Sequence, residues 1–208
     1  MNNQRKQCIF CGSEGVTDEH IFPDWLKDRF PVPQGAKRGD IKWSLGPKGR
    51  VYERNGTKNG MARNFRVRAP CVKCNGGWMS GIETAAKPLL SRLMTGEALI
   101  VSDQEQDVLM KWLTLKSLVL DAHGGLGPMV ISQNHRDEFY NRQSVPIGWR
   151  AWIGRTGLQA GLHAPSVGKT FARCEADDFP DKTTGIAYNT LSVHLIFVNL
   201  FLIFVASE

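Results

Sequence analysis

The sequence predicts an α+β fold in two parts, and three observations carry that prediction. Two CxxC pairs, Cys8/Cys11 and Cys71/Cys74, bracket a basic, glycine-punctuated stretch, with 59 residues between Cys11 and Cys71. Beyond Cys74 the apolar residues recur at helical spacing. From Gly148 onward short runs rich in Val, Ile, Phe and Trp replace that spacing, the pattern of an antiparallel sheet. The expected division is residues 1–83 as an N-terminal module with a basic β insertion and 84–208 as an α+β domain of unassigned role.

Composition narrows the class. The chain has 208 residues, 42% of them hydrophobic, with a formal charge of +6, enough apolar material for a real core. Its start, "MNNQRKQCIFCG", lacks the apolar core of a secretory signal, so the expected location is cytoplasmic. Five cysteines in such a compartment point to metal ligation rather than disulfides, with Cys174 left over as a free thiol. Four thiolates in two CxxC pairs suit a closed tetrahedral zinc site, structural because no coordination position stays open.

The elements follow in order. Between the pairs, "VTDEHIFPDWL" reads as a strand ending near Pro23. "IKWSLGPKGRVYERNG" reads as a hairpin turning at Gly46–Gly49, and "ARNFRVRAP" as a further strand with Arg66 and Arg68 on one face. "NGGWMSGIETAAKPLLSRLM" starts as a glycine-rich helix that continues or restarts near Pro88. Ser102 to Glu105 is a capping box opening a helix to about Ala122, with Val108, Leu109, Trp112, Leu113, Leu115, Val119 and Leu120 on its apolar face. A short helix is expected near 133–142. "LSVHLIFVNLFLIFVA", residues 191–206, is shorter than the roughly 20 residues of a spanning helix. It reads as a buried strand pair with His194 inside the sheet, and no membrane association is expected.

The charge is unevenly placed. Residues 27–73 hold 13 Lys/Arg against 3 acids, a local charge of +10 that leaves about −4 for the rest. Arg50, Arg54, Arg63, Arg66, Arg68 and Lys73 therefore form the expected phosphate-tracking surface for a nucleic-acid partner, which the resemblance below specifies as DNA. A solvated basic loop is the bland alternative.

The consecutive Asp18-Glu19-His20 is the second chemical signal. A carboxylate binds a hard cation through oxygen, and the adjacent His, on the other strand face, is suited to act as general base. Together, "CIFCG", "DEHIFPDWL" and "CVKCN" resemble the HNH (ββα-metal) endonucleases of the zinc-stapled kind, similar to the junction-resolving HNH nucleases of phages. The resemblance covers roughly residues 8–83. It implies that Cys8, Cys11, Cys71 and Cys74 bind structural zinc and that His20 activates water. It further implies that Glu19 and Asn75 hold a catalytic divalent cation, Mg²⁺ or Mn²⁺. The expected activity is metal-dependent hydrolysis of DNA phosphodiester bonds.

The pattern also departs from the family. Glu19 stands where many members have Asp, and Asp18 remains an alternative ligand. The middle Asn has no clear match; Asn64 is the nearest candidate. Glu83, eight residues after Asn75 on the same helix face, lies about 12 Å along the axis and suits an ion pair or a substrate-side role. Gly76 and Gly77 permit either close approach of a nucleic-acid backbone or tight packing on the zinc knuckle, while Trp78 and Met79 read as core. The competing function is a zinc-stapled nucleic-acid-binding protein with a degenerate catalytic site. A protein-interaction module is a third, disfavoured by the basic stretch. For residues 84–208 two roles stay open, homodimerisation and selection of substrate shape.

Overall fold

The computed structural model describes residues 7–29, 38–45, 51–58, 65–95, 98–123, 129–155, 166–174, 188–197 and 200–207. The architecture is α+β with antiparallel pairing throughout. Arg50, Arg63 and Asn64 lie outside the described residues.

Strand β1, Val16–His20, pairs antiparallel with β4, Arg66–Cys71, placing His20 opposite Arg66 and Asp18 opposite Arg68. The register breaks between Val16 and Asp18. Pro70, which has no N–H to give, sits in β4 at this break, and the Thr17 hydroxyl donates to its carbonyl at 3.1 Å. Burial alternates along β4, so Arg66 and Arg68 are both exposed while Val67 and Ala69 enter the core. A one-turn helix, α1 (Leu26–Arg29), follows β1. Strands β2 (Arg38–Leu45) and β3 (Val51–Lys58) form the expected hairpin, a separate two-stranded ribbon.

The chain leaves β4 directly into a helix with an interrupted start. Helix α2, Val72–Cys74, is followed by a π-helical turn, Asn75–Met79, and then α3, Ser80–Met94. Gly77 has non-helical angles, φ −98° and ψ −113°, and marks a kink. α3 continues through Pro88. The expected division at residue 83 falls inside α3.

Helix α4, Asp103–Asp121, begins at the predicted capping box: Ser102 Oγ accepts from Glu105 N at 3.3 Å, and Glu105 Oε2 accepts from Ser102 N at 2.9 Å. Its residues from Trp112 to Asp121 are all buried, so this half runs through the middle of the core rather than along its surface. Helix α5, Gln133–Arg142, occupies the predicted span.

Strands β5 (Arg150–Arg155), β6 (Ser166–Cys174), β7 (Tyr188–Phe197) and β8 (Leu200–Ser207) form one antiparallel sheet in the order β5-β8-β7-β6. Residues 191–206 are thus a strand pair, β7 on β8. Leu191, Val193 and Leu195, with Leu200, Leu202, Phe204 and Ala206, are buried on one face. The period of two places His194 on the other face, half-buried, with Nε2 2.9 Å from Ser192 Oγ; it is not the core residue expected. One cluster of buried apolar residues runs from Cys8 through α3 and α4 to Ala206, joining N- and C-terminal parts. No described helix is long and apolar enough to cross a membrane.

Candidate active site and cysteine cluster

The first half-site is a tight knuckle. Gly12 N donates to Cys8 O at 3.1 Å, and Cys8 N donates to Ser13 O at 2.8 Å. Gly12 closes the turn at φ +70°, a conformation costly for a side-chain-bearing residue. Ile9 N donates to Ala69 O at 3.2 Å and docks the knuckle on β4. That strand delivers Cys71 at its end, and one helical turn later α2 delivers Cys74.

The four sulfurs all lie within 4.8 Å of one another, with Cys11 Sγ and Cys71 Sγ 3.5 Å apart. A tetrahedral tetrathiolate with metal–sulfur bonds of 2.3 Å spaces its sulfurs by about 3.8 Å. The cluster therefore has the size and donor chemistry of a structural metal site such as zinc. Burial pushes the Cys8 and Cys74 thiols up, whereas the Ser13 hydroxyl beside Cys11 brings that thiol down to about 6. Ligation replaces the thiol protons by the cation and removes the cost of burying bare thiolates. Trp78 packs edge-on against Phe10, with ring centroids 5.0 Å apart, and also meets Phe139 and Tyr140, so it braces the knuckle as a packing residue.

Directly after Cys74, the Asn75 amide nitrogen donates to Thr17 Oγ1 and to the carbonyl of Asp18, each at 3.3 Å. The cysteine cluster and these two bonds hold Asn75 against β1. Glu19, His20 and Asn75 then share one open pocket of about 420 Å³, whose lining also includes Asp18, Gly76 and Glu83. A Cβ built on Gly76 or Gly77 meets nothing within 4 Å, so tight packing does not explain these glycines. Gly76 lines the pocket, and the open space there permits close approach by a ligand backbone.

His20 is half-buried. Arg66 Nε donates to its Nε2 at 2.7 Å, and Asp24 Oδ1 lies 3.6 Å from the same nitrogen. Accepting from a guanidinium requires that nitrogen to be unprotonated, the form a general base needs. Arg66, expected to meet phosphate, is thus also a partner of the proposed base. Of the other basic residues, Arg68 and Lys73 are exposed, and Arg54 lies on β3 opposite Lys42.

Glu19 is buried, and its Oε1 accepts from Lys116 Nζ. The same ammonium ion-pairs with Glu83 Oε1 and donates to the His20 carbonyl at 2.6 Å. Burial is the largest influence on the Glu19 carboxyl and pushes it up; Lys116 opposes that shift and Glu83 adds to it. Two carboxylates thus face one ammonium at the pocket floor, and the upward push on Glu19 works against ionisation of both at once. With the amide of Asn75 in the same pocket, the polar groups there are oxygen donors of the hard kind that divalent cations take.

Sequence reasoning missed Lys116, though a signal was present. Lys116 lies four residues after Trp112 and three before Val119, on the apolar face of α4. A lysine on such a face is rarely buried without a counter-ion, so it marked a hidden carboxylate without saying which one. No family model, curated protein or solved structure matches this chain.

Proposed function

We propose that the protein is a metal-dependent DNA endonuclease whose N-terminal module is of the HNH (ββα-metal) type, with Cys8, Cys11, Cys71 and Cys74 around structural zinc. The carrying observation is the convergence of Glu19, His20 and Asn75 on one open pocket, with Asn75 anchored to β1 immediately beyond the cysteine cluster. Charge supports a polyanionic substrate. In the β2–β3 register, Arg38 stands opposite Lys58 and Lys42 opposite Arg54.

In this reading Glu19 and Asn75 hold the catalytic cation. A bound Mg²⁺ or Mn²⁺ supplies Lewis-acid polarisation of the scissile phosphate and stabilises charge on the leaving 3′-oxygen. His20 Nε2 takes the proton from the attacking water. Arg66 holds that nitrogen unprotonated before substrate arrives, and a phosphate entering the pocket competes for its guanidinium and releases the base. The products are 5′-phosphate and 3′-hydroxyl ends.

The Lys116–Glu19 pair favours one competing reading, a zinc-stapled DNA-binding protein without catalysis, because a neutralised carboxylate is a weaker cation ligand. Zinc-loaded protein incubated with supercoiled plasmid, with and without Mg²⁺ or Mn²⁺, separates the two. The endonuclease nicks or linearises plasmid only with the added cation, and His20→Ala abolishes cleavage while keeping its zinc. Salt-sensitive DNA binding with no cleavage of plasmid, junction or single strand overturns the enzyme and leaves the binding protein.

A further inference from the structure

We propose that Lys116 is a positioning residue for the cation site, and that α4 thereby completes a site whose other parts all lie in the N-terminal module. This inference rests on the cation-dependent reading above. An ammonium has three donors, and Lys116 has three oxygen partners: Glu19 Oε1, Glu83 Oε1 and the His20 carbonyl. Its side chain is 0% exposed, so no competing water reaches it from bulk solvent. Two of the partners belong to consecutive residues of β1, the proposed cation ligand and the proposed base. The third stands on α3, eight residues after Asn75 and beyond the kink at Gly77. One ammonium therefore ties the strand bearing Glu19 and His20 to the helix bearing Asn75, and sets the direction of the Glu19 carboxylate.

Stability alone explains this lysine poorly. Replacing a buried ion cluster by apolar groups of similar volume is often neutral or stabilising. The surroundings on α4, Trp112, Leu113, Leu115 and Val119, are already apolar and buried. Apolar replacement of Lys116, Glu19 and Glu83 together, with methionine at 116, would leave no desolvated charge there. What a methionine cannot do is hold a carboxylate and a strand end in fixed relation.

The sign of one measurement distinguishes positioning from charge balance. Removing a positive charge beside a cation site strengthens cation binding by Coulomb's law; removing a positioning group weakens it. The double variant Lys116→Met/Glu83→Gln deletes one positive and one negative charge and keeps the local charge constant. Mn²⁺ is titrated into zinc-loaded full-length protein, read by calorimetry and by the electron paramagnetic resonance of free Mn²⁺. The expected result is unchanged zinc content, a lower melting temperature because Glu19 stays buried without its ammonium, and, in protein still folded at the assay temperature, Mn²⁺ binding weakened at least tenfold and kcat on plasmid lowered at least a hundredfold with KM for DNA unchanged. Mn²⁺ binding as tight as wild type, or tighter, overturns the proposal. Should the double variant not fold, Lys116→Gln gives the same reading: weaker Mn²⁺ binding despite the lost positive charge supports positioning, and tighter binding overturns it. Wild type whose Mn²⁺ affinity depends on Lys116 but that cleaves no nucleic acid removes the endonuclease and leaves this inference. Cleavage by wild type with Mn²⁺ affinity indifferent to Lys116 does the reverse. A wild type that binds no Mn²⁺ overturns both.

Discussion

Two buried ion clusters hang from the same helix, five residues apart, and they are built differently. At Asp121, Arg136 Nη2 donates to Oδ2 at 2.6 Å, and both side chains are 0% exposed. The Asp121 carboxylate also accepts from the backbone N–H of Val130 and Ile131, and Arg136 Nη1 donates to the Leu118 carbonyl at 2.8 Å. Among the described contacts one carboxylate meets one guanidinium, with backbone groups as further partners. At Lys116 one ammonium meets two carboxylates, and Glu83 is 26% exposed along the pocket wall. The balanced, enclosed cluster staples α5 and the segment before it to α4. The other, with two carboxylates around one ammonium, opens onto a pocket. Charge balance and enclosure, rather than burial alone, separate a structural ion pair from a candidate site.

That contrast is open to direct attack. The largest effect is expected from His20→Ala, which should lower the plasmid cleavage rate by about 10²–10⁴-fold and leave thermal unfolding within about 0.5 kcal/mol of wild type. A comparable loss of stability would place His20 with the structural residues. Arg136→Met should show the opposite pattern. Leaving Asp121 buried without its guanidinium should cost about 3–5 kcal/mol in denaturant unfolding. Zinc-loaded protein that remains folded should still cleave; a specific loss of catalysis at full stability would erase the distinction between the clusters.

Glu83→Gln tests charge balance itself, since it converts the Lys116 cluster to a one-to-one pair like that of Asp121. Mn²⁺ affinity should fall on the order of tenfold as one of the two carboxylates is removed, with little change in melting temperature. Unchanged affinity would show that the second carboxylate is irrelevant to the pocket. The smallest effect is expected from Ser102→Ala, which touches neither cluster. Loss of the capping box should cost about 1 kcal/mol in urea unfolding, leaving cation affinity and cleavage untouched per folded molecule. A cleavage defect in that variant would mean that α4 transmits even distant strain into Lys116.

Much of the local framework was legible in advance because its signals are local. The capping box at Ser102, the strand over residues 16–20, the hairpin and the helix near 133–142 each rest on spacing within a short window. The glycines at 76 and 77 showed the limit of that approach. Their presence was plain, but whether they face a packed neighbour or open space depends on what folds back against them, and here nothing lies within 4 Å. His194 illustrates a related limit: apolar neighbours suggested burial, yet strand alternation put it on the opposite face.

By itself, then, the sequence determined which residues are the candidates for the chemistry: four thiols in two CxxC pairs, the Asp18-Glu19-His20 run, and Asn75 directly after Cys74. Spacing of that kind is a property of the covalent chain and of helix and strand geometry. Only the tertiary structure decided how those groups are partnered. Lys116 comes to Glu19 across 97 residues, Arg66 to His20 across 46, and Arg136 to Asp121 from a separate helix. A charge has no preferred partner along the chain. Its partner is set by which elements share the core, because a buried ion must be paired wherever packing leaves it.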